Sequence, residues 1–469
     1  MQREESDYSL MTDSTVKADE NPPGSPPELK RAIGPGLLLF FVIGDILGTG
    51  IYALTGSVAG QIGGALWLPF LLAFAVAFIT AFSYLELVGK YPRAAGAALY
   101  THKAFGINFL TFMVTFTVMA SGVTSAATAA KAFGDTYLRQ FIELPTWAVA
   151  SVFVLGLALI NFRGVGESVK ANVVLTCIEL SGLLLIIGVG VYAVLGGEGD
   201  ASRLTQIDTG DSGAFLAITA ATSLAFFAMV GFEDSVNMAE ECHSPARIFP
   251  RAMLLGMGVA AAIYVAVAVL SSMLVPADDL AGAGSGALFL VLDAGAPGFP
   301  PAVFAAIGLF AVVNSALINM LMASRLLYGM ANERIIPRPF GRVHQTRRTP
   351  WVAIVFTSLV AIVLVMTADI TLLGGTTALL LLAVFTIVNI AVLVLRRMDP
   401  TDRPHFTAPS WTPYLGIVLC GFLATPLSGR PLTQFVVAGI LLAVGAALWL
   451  INRLVVGKVD VDPTRLAKG

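Results

Sequence analysis

Five carboxyl groups fall inside long apolar runs of the sequence: Asp45, Glu86, Glu179, Glu233 and Asp234. A charged side chain at the centre of a membrane helix costs about 2.5 to 3.5 kcal/mol unless it lines a cavity or has a partner. Asp45 and Glu179 lie deepest in their runs, so we expect functional groups or polar contacts between helices there. Glu86 lies near the end of its run, where an interfacial carboxylate is expected. The chemistry that a buried carboxyl offers is reversible protonation.

Glycine interrupts the run that contains Asp45. Gly48 and Gly50 flank Thr49, and glycine in mid-run weakens a helix. A helix broken there exposes backbone amides at the start of its second half, and the positive end of the helix dipole at that point can hold a carboxylate. The break also exposes backbone carbonyls at the end of the first half, which suit an ammonium or a cation. Close packing of helices through small residues explains the same pattern. The residues alone leave both interpretations open.

A second candidate break lies further along the chain. Gly231 stands just before Glu233 and Asp234, and acids favour the first turn of a helix, so the sequence predicts a helix end and a new start. The preceding pair, Phe226 and Phe227, is placed either to cover a bound molecule or to pack on neighbouring helices.

Membrane helices must position these groups. The chain of 469 residues is 57% hydrophobic and 12% charged with a mean hydropathy of +0.82, which excludes a soluble globular protein. Lipid offers no partners to backbone amides, so the apolar segments must be helices. Twelve are predicted, over residues 37–58, 65–88, 109–130, 146–161, 172–195, 214–238, 251–275, 301–328, 351–368, 371–395, 411–426 and 432–452.

The basic residues predict the orientation of these segments. Of the 28 Lys and Arg residues, 24 fall on the side of the amino terminus, and the other side has only Lys131, Arg139, Arg203 and Arg430. The positive-inside rule then places both termini in the cytoplasm of a multi-pass protein of the cell membrane. The breaks fall in segments one and six, the first members of two sets of five that run in opposite directions. That correspondence is typical of transporters built from inverted repeats.

Several other classes of protein are disfavoured. A formal charge of −2 excludes a basic nucleic-acid binder on global balance. All four histidines fall in predicted connectors: His102, His243, His344 and His405. They cannot form a metal cluster inside the membrane, so a membrane-embedded enzyme is disfavoured. No cofactor or metal is expected. Three scattered cysteines form no disulfide framework. The tails, a disordered cytoplasmic segment 1–31 and a cytoplasmic segment 456–469, are short for a signalling domain.

With these residues in view, the sequence resembles the amino acid-polyamine-organocation (APC) superfamily of transporters over residues 32–455. Four stretches carry the resemblance: Gly48–Ile51, Tyr91–Gly96, Gly231–Pro250 and Ser324–Tyr328. It implies an all-α polytopic membrane domain of about 12 transmembrane helices, with two inverted five-helix repeats (the LeuT-like fold) plus two extra helices. It also implies alternating access to a site between the broken helices.

The resemblance assigns roles to residues at the breaks. The substrate carboxylate is expected at the amides of Gly48, Thr49, Gly50 and Ile51, and its amino group at the carbonyls of Phe226, Ala228 and Met229. Phe226 or Phe227 is expected to act as a gate. Ile46 and Gly231, which flank the two breaks, complete the candidate substrate-binding set.

Coupling to an ion is the last expectation. Some proton-linked relatives carry a lysine on helix five, and the ionisable residue of this chain in that region is Glu179. We therefore predict that Glu179 is the proton-coupling residue and that Asp45 is a candidate partner. The function predicted is secondary active transport of an amino acid, with an amino acid substrate, protons and the lipid bilayer as partners. An uncoupled exchanger or uniporter of an amino acid or amine, and a transporter-like nutrient sensor, are the alternatives.

Overall fold

The structure is a computed structural model that describes residues 33–93, 96–164, 169–208, 213–398 and 405–457. The predicted amino-terminal tail and nearly all of the predicted carboxyl-terminal tail lie outside these residues.

Sixteen α-helices lie within the described residues: α1 (Pro35–Ile46), α2 (Thr49–Ile62), α3 (Trp67–Lys90), α4 (Gly96–Phe105), α5 (Asn108–Ala132), α6 (Thr146–Arg163), α7 (Val169–Leu195), α8 (Ala214–Ala225), α9 (Pro245–Leu274), α10 (Ala277–Ala283), α11 (Ala287–Gly295), α12 (Pro301–Asn332), α13 (Trp351–Thr367), α14 (Ile370–Met398), α15 (Trp411–Leu423) and α16 (Leu432–Val456).

The predicted all-α class is confirmed. Ten helical stretches of the described chain are long and apolar enough to cross a bilayer, and α1 with α2 counts as one of them. Two shorter apolar helices, α13 and α15, lie at the ninth and eleventh predicted segments. The total of twelve spans therefore stays a prediction. Short helices α4, α10 and α11 occupy stretches where the apolar pattern predicts connectors.

The packing places α5 at the centre of the molecule. Helices α12 and α14 pack along α5, while α1 packs on α7 and α9, and α3 packs on α9. The outer surface is apolar: Leu195, Leu454 and Val455 are each about four-fifths exposed. Apolar side chains exposed in this way are expected to face lipid rather than water.

The start of the first span lies beside the end of the sixth. An isolated parallel bridge joins Ile33 to Cys242, and the amide of His243 donates a hydrogen bond to the carbonyl of Ile33 at 3.0 Å. The two interrupted spans therefore have these ends on the same face of the molecule, as two antiparallel segments must.

Glu86 lies near the end of α3, where it forms a buried ion pair. Its side chain is buried, and Arg396 on α14 donates to both carboxylate oxygens, at 2.8 Å from Nε and 2.5 Å from Nη2. The amide of Ala408 donates a third hydrogen bond at 2.8 Å. The planar guanidinium matches a carboxylate in two-point geometry, which makes the buried charge tolerable. This ion pair joins α3, α14 and the segment before α15.

Candidate functional site

The first predicted span is broken where its glycines lie. Helix α1 ends at Ile46 and α2 begins at Thr49, with Leu47 and Gly48 between them. The amides of the first turn of α2 have no acceptor within their own helix, because the residues that would supply one lie before the break. At the end of α1, the Tyr264 hydroxyl donates to the carbonyl of Ile46 at 2.5 Å.

The sixth predicted span is interrupted as well. Helix α8 ends at Ala225, a 3-10 turn covers Phe226–Met229, and the backbone then becomes extended at Val230. Gly231 has a φ of +123°, which side-chain-bearing residues rarely adopt. The new start that the acids predict is a 3-10 helix, Asp234–Glu241, rather than an α-helix. Glu233 accepts a hydrogen bond from the amide of Gly231 at 2.9 Å, so it stabilises the break locally.

The two breaks touch each other through their backbones. A Cβ atom placed on Gly50 would overlap the backbone of Ala228, and one placed on Gly231 would lie 2.6 Å from the carbonyl oxygen of Asp45. Glycine is needed at both positions because no side chain fits between the crossing segments. The main chains of the first and sixth spans therefore meet at their interruptions.

A small polar cavity of about 20 Å³ lies at this meeting point. That volume holds about one water molecule. Seven of the residues that the sequence predicts for the site line it: Asp45, Ile46, Gly48, Thr49, Gly50, Phe227 and Gly231. The other predicted substrate residues, Ile51, Phe226, Ala228 and Met229, are buried but do not line it.

The structure separates the two phenylalanines. Phe227 lines the cavity, whereas the Phe226 ring packs edge-on against Phe385 of α14 with 5.9 Å between ring centroids. Of the pair, only Phe227 lines the cavity.

Four polar residues of the cavity wall are missing from the predicted set: Ser125, Asp234, Ser315 and Asn319. Ser315 and Asn319 are four residues apart on α12, where Asn319 Nδ2 donates to the carbonyl of Ser315 at 2.9 Å. Two polar residues at that spacing share one face of a helix. Their spacing in the sequence could therefore have indicated that this face of α12 lines a polar site. Asp234 and Asn319 also line a second cavity of about 20 Å³ beside the first, together with Glu233, Ser121 and Thr377.

Glu179 lies elsewhere, on α7 behind the first broken span. Its side chain is fully buried, and neither carboxyl oxygen has a hydrogen-bond partner among the described residues. Its backbone carbonyl accepts a hydrogen bond from the Tyr52 hydroxyl of α2 at 2.7 Å, and the backbone carbonyl of Tyr52 accepts one from Tyr137 at 2.9 Å. Glu179 is thus tied to the half-helix that starts at the break.

Comparisons with known proteins agree on the class of molecule. The family model described as "Amino acid permease" matches residues 37–454. The branched-chain amino acid permease BcaP of Bacillus subtilis is 24% identical over 87% of this chain and 90% of its own length. The methylthioribose transporter of the same organism is 26% identical over 90% of this chain and 93% of its own.

The fold has a counterpart among solved structures. A crystal structure of a manganese transporter mutant from Eremococcus coleocola superposes with a TM-score of 0.52 over 89% of this chain and 94% of that chain, at 14% identity. This likeness confirms the predicted LeuT-like architecture. The family match covers most of the chain, and the relatives are transporters rather than enzymes. The chain therefore belongs to the amino acid permease family.

Proposed function

We propose that the protein is a secondary active transporter that moves an amino acid across the cell membrane by alternating access, coupled to protons. The observation that carries the proposal is the contact of two broken spans around a polar cavity. The free amides that start α2 suit the carboxylate of an amino acid, and backbone carbonyls beside the breaks suit its ammonium.

The size of the cavity fits a carrier that changes shape. At about 20 Å³ the space takes one water molecule, so a substrate enters only after the half-helices separate. Phe227 lies in the wall and moves aside or closes over the substrate as they do so. Both termini are proposed to lie in the cytoplasm. This is the face at which α1 begins and the 3-10 helix Asp234–Glu241 ends.

Glu179 is the proposed proton-coupling residue, with Asp45 as its candidate partner. An ionised carboxyl is costly inside a protein unless it gains partners, so Glu179 has to exchange its proton when water reaches it. A row of buried polar atoms marks a route on the same helix. Asn172, Thr176 and Glu179 follow a helical spacing of four and three, and the polar side-chain atoms of Asn172 and Thr176 also have no hydrogen-bond partner among the described residues.

This row faces the part of the protein that must move. The Thr176 hydroxyl fills the space that the missing side chain of Gly44 leaves on α1, and the Glu179 backbone is bonded to Tyr52 on α2. Protonation of Glu179 therefore acts on both halves of the first span, which is what coupling requires.

The test is uptake of labelled amino acids by proteoliposomes with and without a pH gradient. For Glu179→Gln we expect gradient-driven uptake to fall about tenfold or more, which corresponds to ~1.4 kcal/mol or more of lost coupling. Exchange at equal pH on both sides should persist, because the backbone site is intact. Glu143→Gln, which changes an exposed glutamate in the connector before α6, is the matched control and should behave as wild type.

Two results would count against the proposal. Unchanged gradient-driven uptake in Glu179→Gln removes Glu179 from the coupling mechanism. Uptake by the wild type that ignores the pH gradient identifies an exchanger or uniporter instead.

A further inference from the structure

An apolar groove lies on the surface of the helix bundle, away from the two breaks. Helices α13 and α16 both pack on α5, and a space of about 450 Å³ remains between the three helices. That volume falls in the range of sites that hold small molecules, about 300–1,000 Å³. Among the described residues, no charged side chain lines the groove, and its only polar side chains are Thr357 and Thr367. The groove therefore suits an apolar occupant.

The position and length of the groove match one leaflet of a bilayer. Its wall residues Leu359 and Val363 on α13 and Ile440 on α16 are each more than half exposed, and these helices are apolar, so the groove opens to lipid. Along α13 the lining extends from Phe356 to Thr367, about 17 Å at 1.5 Å per residue. One leaflet of the hydrocarbon core is about 15 Å thick, half of the whole. An extended acyl chain fits a groove of this length.

A cation lies at one end of the groove. Lys131, near the end of α5, is partly buried, and its ammonium donates to the backbone carbonyls of Val365 at 3.2 Å and Ala368 at 2.6 Å. These carbonyls lie at the end of α13, beside the groove residues Leu364 and Thr367. An ammonium has three donors, and two neutral carbonyls do not compensate its charge. Within the described residues, Lys131 forms no ion pair with a carboxylate.

Lys131 differs in this respect from the other basic residues predicted on the side opposite the amino terminus. Arg139 and Arg203 each have an aspartate carboxylate nearby, at 3.9 and 3.4 Å. Arg430 is buried and enclosed by carbonyl oxygens. Lys131 is the one of the four that is both accessible and without an acid, so an anion from outside the described chain can bind there.

One class of molecule satisfies the groove and the cation together. An acyl chain matches the apolar walls, and a phosphate forms a strong, charge-assisted hydrogen bond with an ammonium. A zwitterionic headgroup carries its own ammonium, which competes with Lys131 for the phosphate, whereas an anionic headgroup does not. We propose that the groove between α5, α13 and α16 binds one anionic phospholipid, with an acyl chain along the groove and its phosphate at Lys131.

The bound lipid lies behind the helix that lines the polar cavities. Phe116 and Val123 of α5 face the groove, whereas Ser121 and Ser125 face the cavities at the breaks. At 3.6 residues per turn, these two pairs lie on opposite faces of the helix. An apolar cleft without an occupant forfeits contacts, so the acyl chain supports α5 at the level of the breaks.

The experiment uses phosphatidylglycerol with a photoactivatable diazirine in one acyl chain, added in trace amounts to phosphatidylcholine vesicles that contain the full-length protein. Irradiation followed by peptide mass spectrometry locates the label. We expect it on the groove residues of α5, α13 and α16, above the level on other lipid-facing helices. Phosphatidylcholine with the same diazirine chain should label the groove about tenfold less, because its headgroup carries a competing ammonium.

Substitution of the cation separates charge from packing. In Lys131→Gln the side-chain amide still donates to the carbonyls at the end of α13, but the charge is lost, so groove labelling by phosphatidylglycerol should fall about tenfold. Lys131→Arg keeps the charge and should keep the label. Arg139→Gln removes an exposed basic residue of the same predicted side and should label as the wild type.

Two further variants fill the groove. Val363→Trp and Leu359→Trp each place a large ring in its wall and should lower the labelling, and either one suffices if the other fails to fold. Val152→Trp is the matched control, because it makes the same kind of change at an exposed position of α6 outside the groove. Its groove labelling should equal that of the wild type.

Three outcomes overturn the proposal. Even labelling of all lipid-facing helices indicates a nonspecific shell of lipid. Groove labelling that is equal for the two lipids and unchanged in Lys131→Gln removes the phosphate site. Absence of label from the groove, with or without a second copy of the chain cross-linked over it, removes the lipid. None of these outcomes depends on transport, so the proposed function is tested separately.

Discussion

Arg430 is a buried cation that carbonyl oxygens hold in place. It is 4% exposed, and its guanidinium donates four hydrogen bonds. The acceptors come from four different helices: the backbone carbonyls of Ser223 on α8, Gly375 on α14 and Leu423 on α15, and the side-chain amide of Gln434 on α16. The rigid fork of arginine suits this task, since it presents five donors in fixed directions.

Removal of this guanidinium should destabilise the protein. In Arg430→Met four buried acceptors lose their donor, and each unsatisfied group costs about 1–3 kcal/mol, so we expect a clear loss of thermal stability in detergent. Arg430→Lys should be intermediate, because an ammonium supplies only three donors. Arg139→Met is the control. Its ion pair with Asp135 is exposed at 3.9 Å, and its loss should change stability by less than about 1 kcal/mol. A melting temperature of Arg430→Met equal to that of the control would contradict this role.

At the level of single residues, the sequence predicts part of the site and misses the rest for a physical reason. Phe226 and Phe227 are neighbours of the same type, and only the register of the 3-10 turn decides which one faces the cavity. Ser125 lies on α5, which is buried on nearly all sides. The pattern of apolar residues along α5 therefore does not distinguish the side that faces the cavity from the other sides. Periodicity identifies the inner face of a helix only when another face is polar.

At the level of the elements, the interruptions of the first and sixth spans follow from glycine and could be predicted. Gly48 lies between α1 and α2, and Gly231 lies just after the end of the 3-10 turn of the sixth span. The sequence does not show how close the two interruptions lie to each other in the fold. The contact of Gly50 with Ala228 depends on how α2 crosses the sixth span, and this packing is decided by long-range contacts.

The contact between the breaks makes Gly50→Ala a direct test. The added Cβ overlaps the backbone of Ala228, and over-packing typically costs about 1–3 kcal/mol, so uptake should fall about tenfold or more. Gly258→Ala is the matched control, since nothing lies within 4 Å of the position its Cβ would take on α9. That variant should transport normally and be equally or more stable, because alanine favours a helix over glycine by about 1 kcal/mol. Wild-type uptake by Gly50→Ala would show that the spans do not need to touch.

At the level of the whole molecule, the orientation can be predicted from the distribution of basic residues. The tails and connectors on the side of the amino terminus together hold 24 of the 28 Lys and Arg residues, and such an excess marks the cytoplasmic face. The bridge between Ile33 and Cys242 places the start of the first span beside the end of the sixth. The count of basic residues assumes that successive segments cross in alternate directions, and this placement agrees with that assumption.

Reporter fusions check this orientation. Alkaline phosphatase fused after Gly457 should be inactive and a fluorescent protein fused there should fluoresce, because the carboxyl terminus is expected in the cytoplasm. An epitope inserted after Glu143, in the exposed connector before α6, should bind antibody on intact spheroplasts. The opposite pattern at either position would invert the topology.

The narrowness of the space between the half-helices has a consequence for the cell. With room for about one water molecule at the crossing, the described part of the chain holds no continuous column of water there. We therefore expect a copy in this form to block the passage of ions at the crossing. Many copies can then reside in the membrane without dissipating the ion gradients across it.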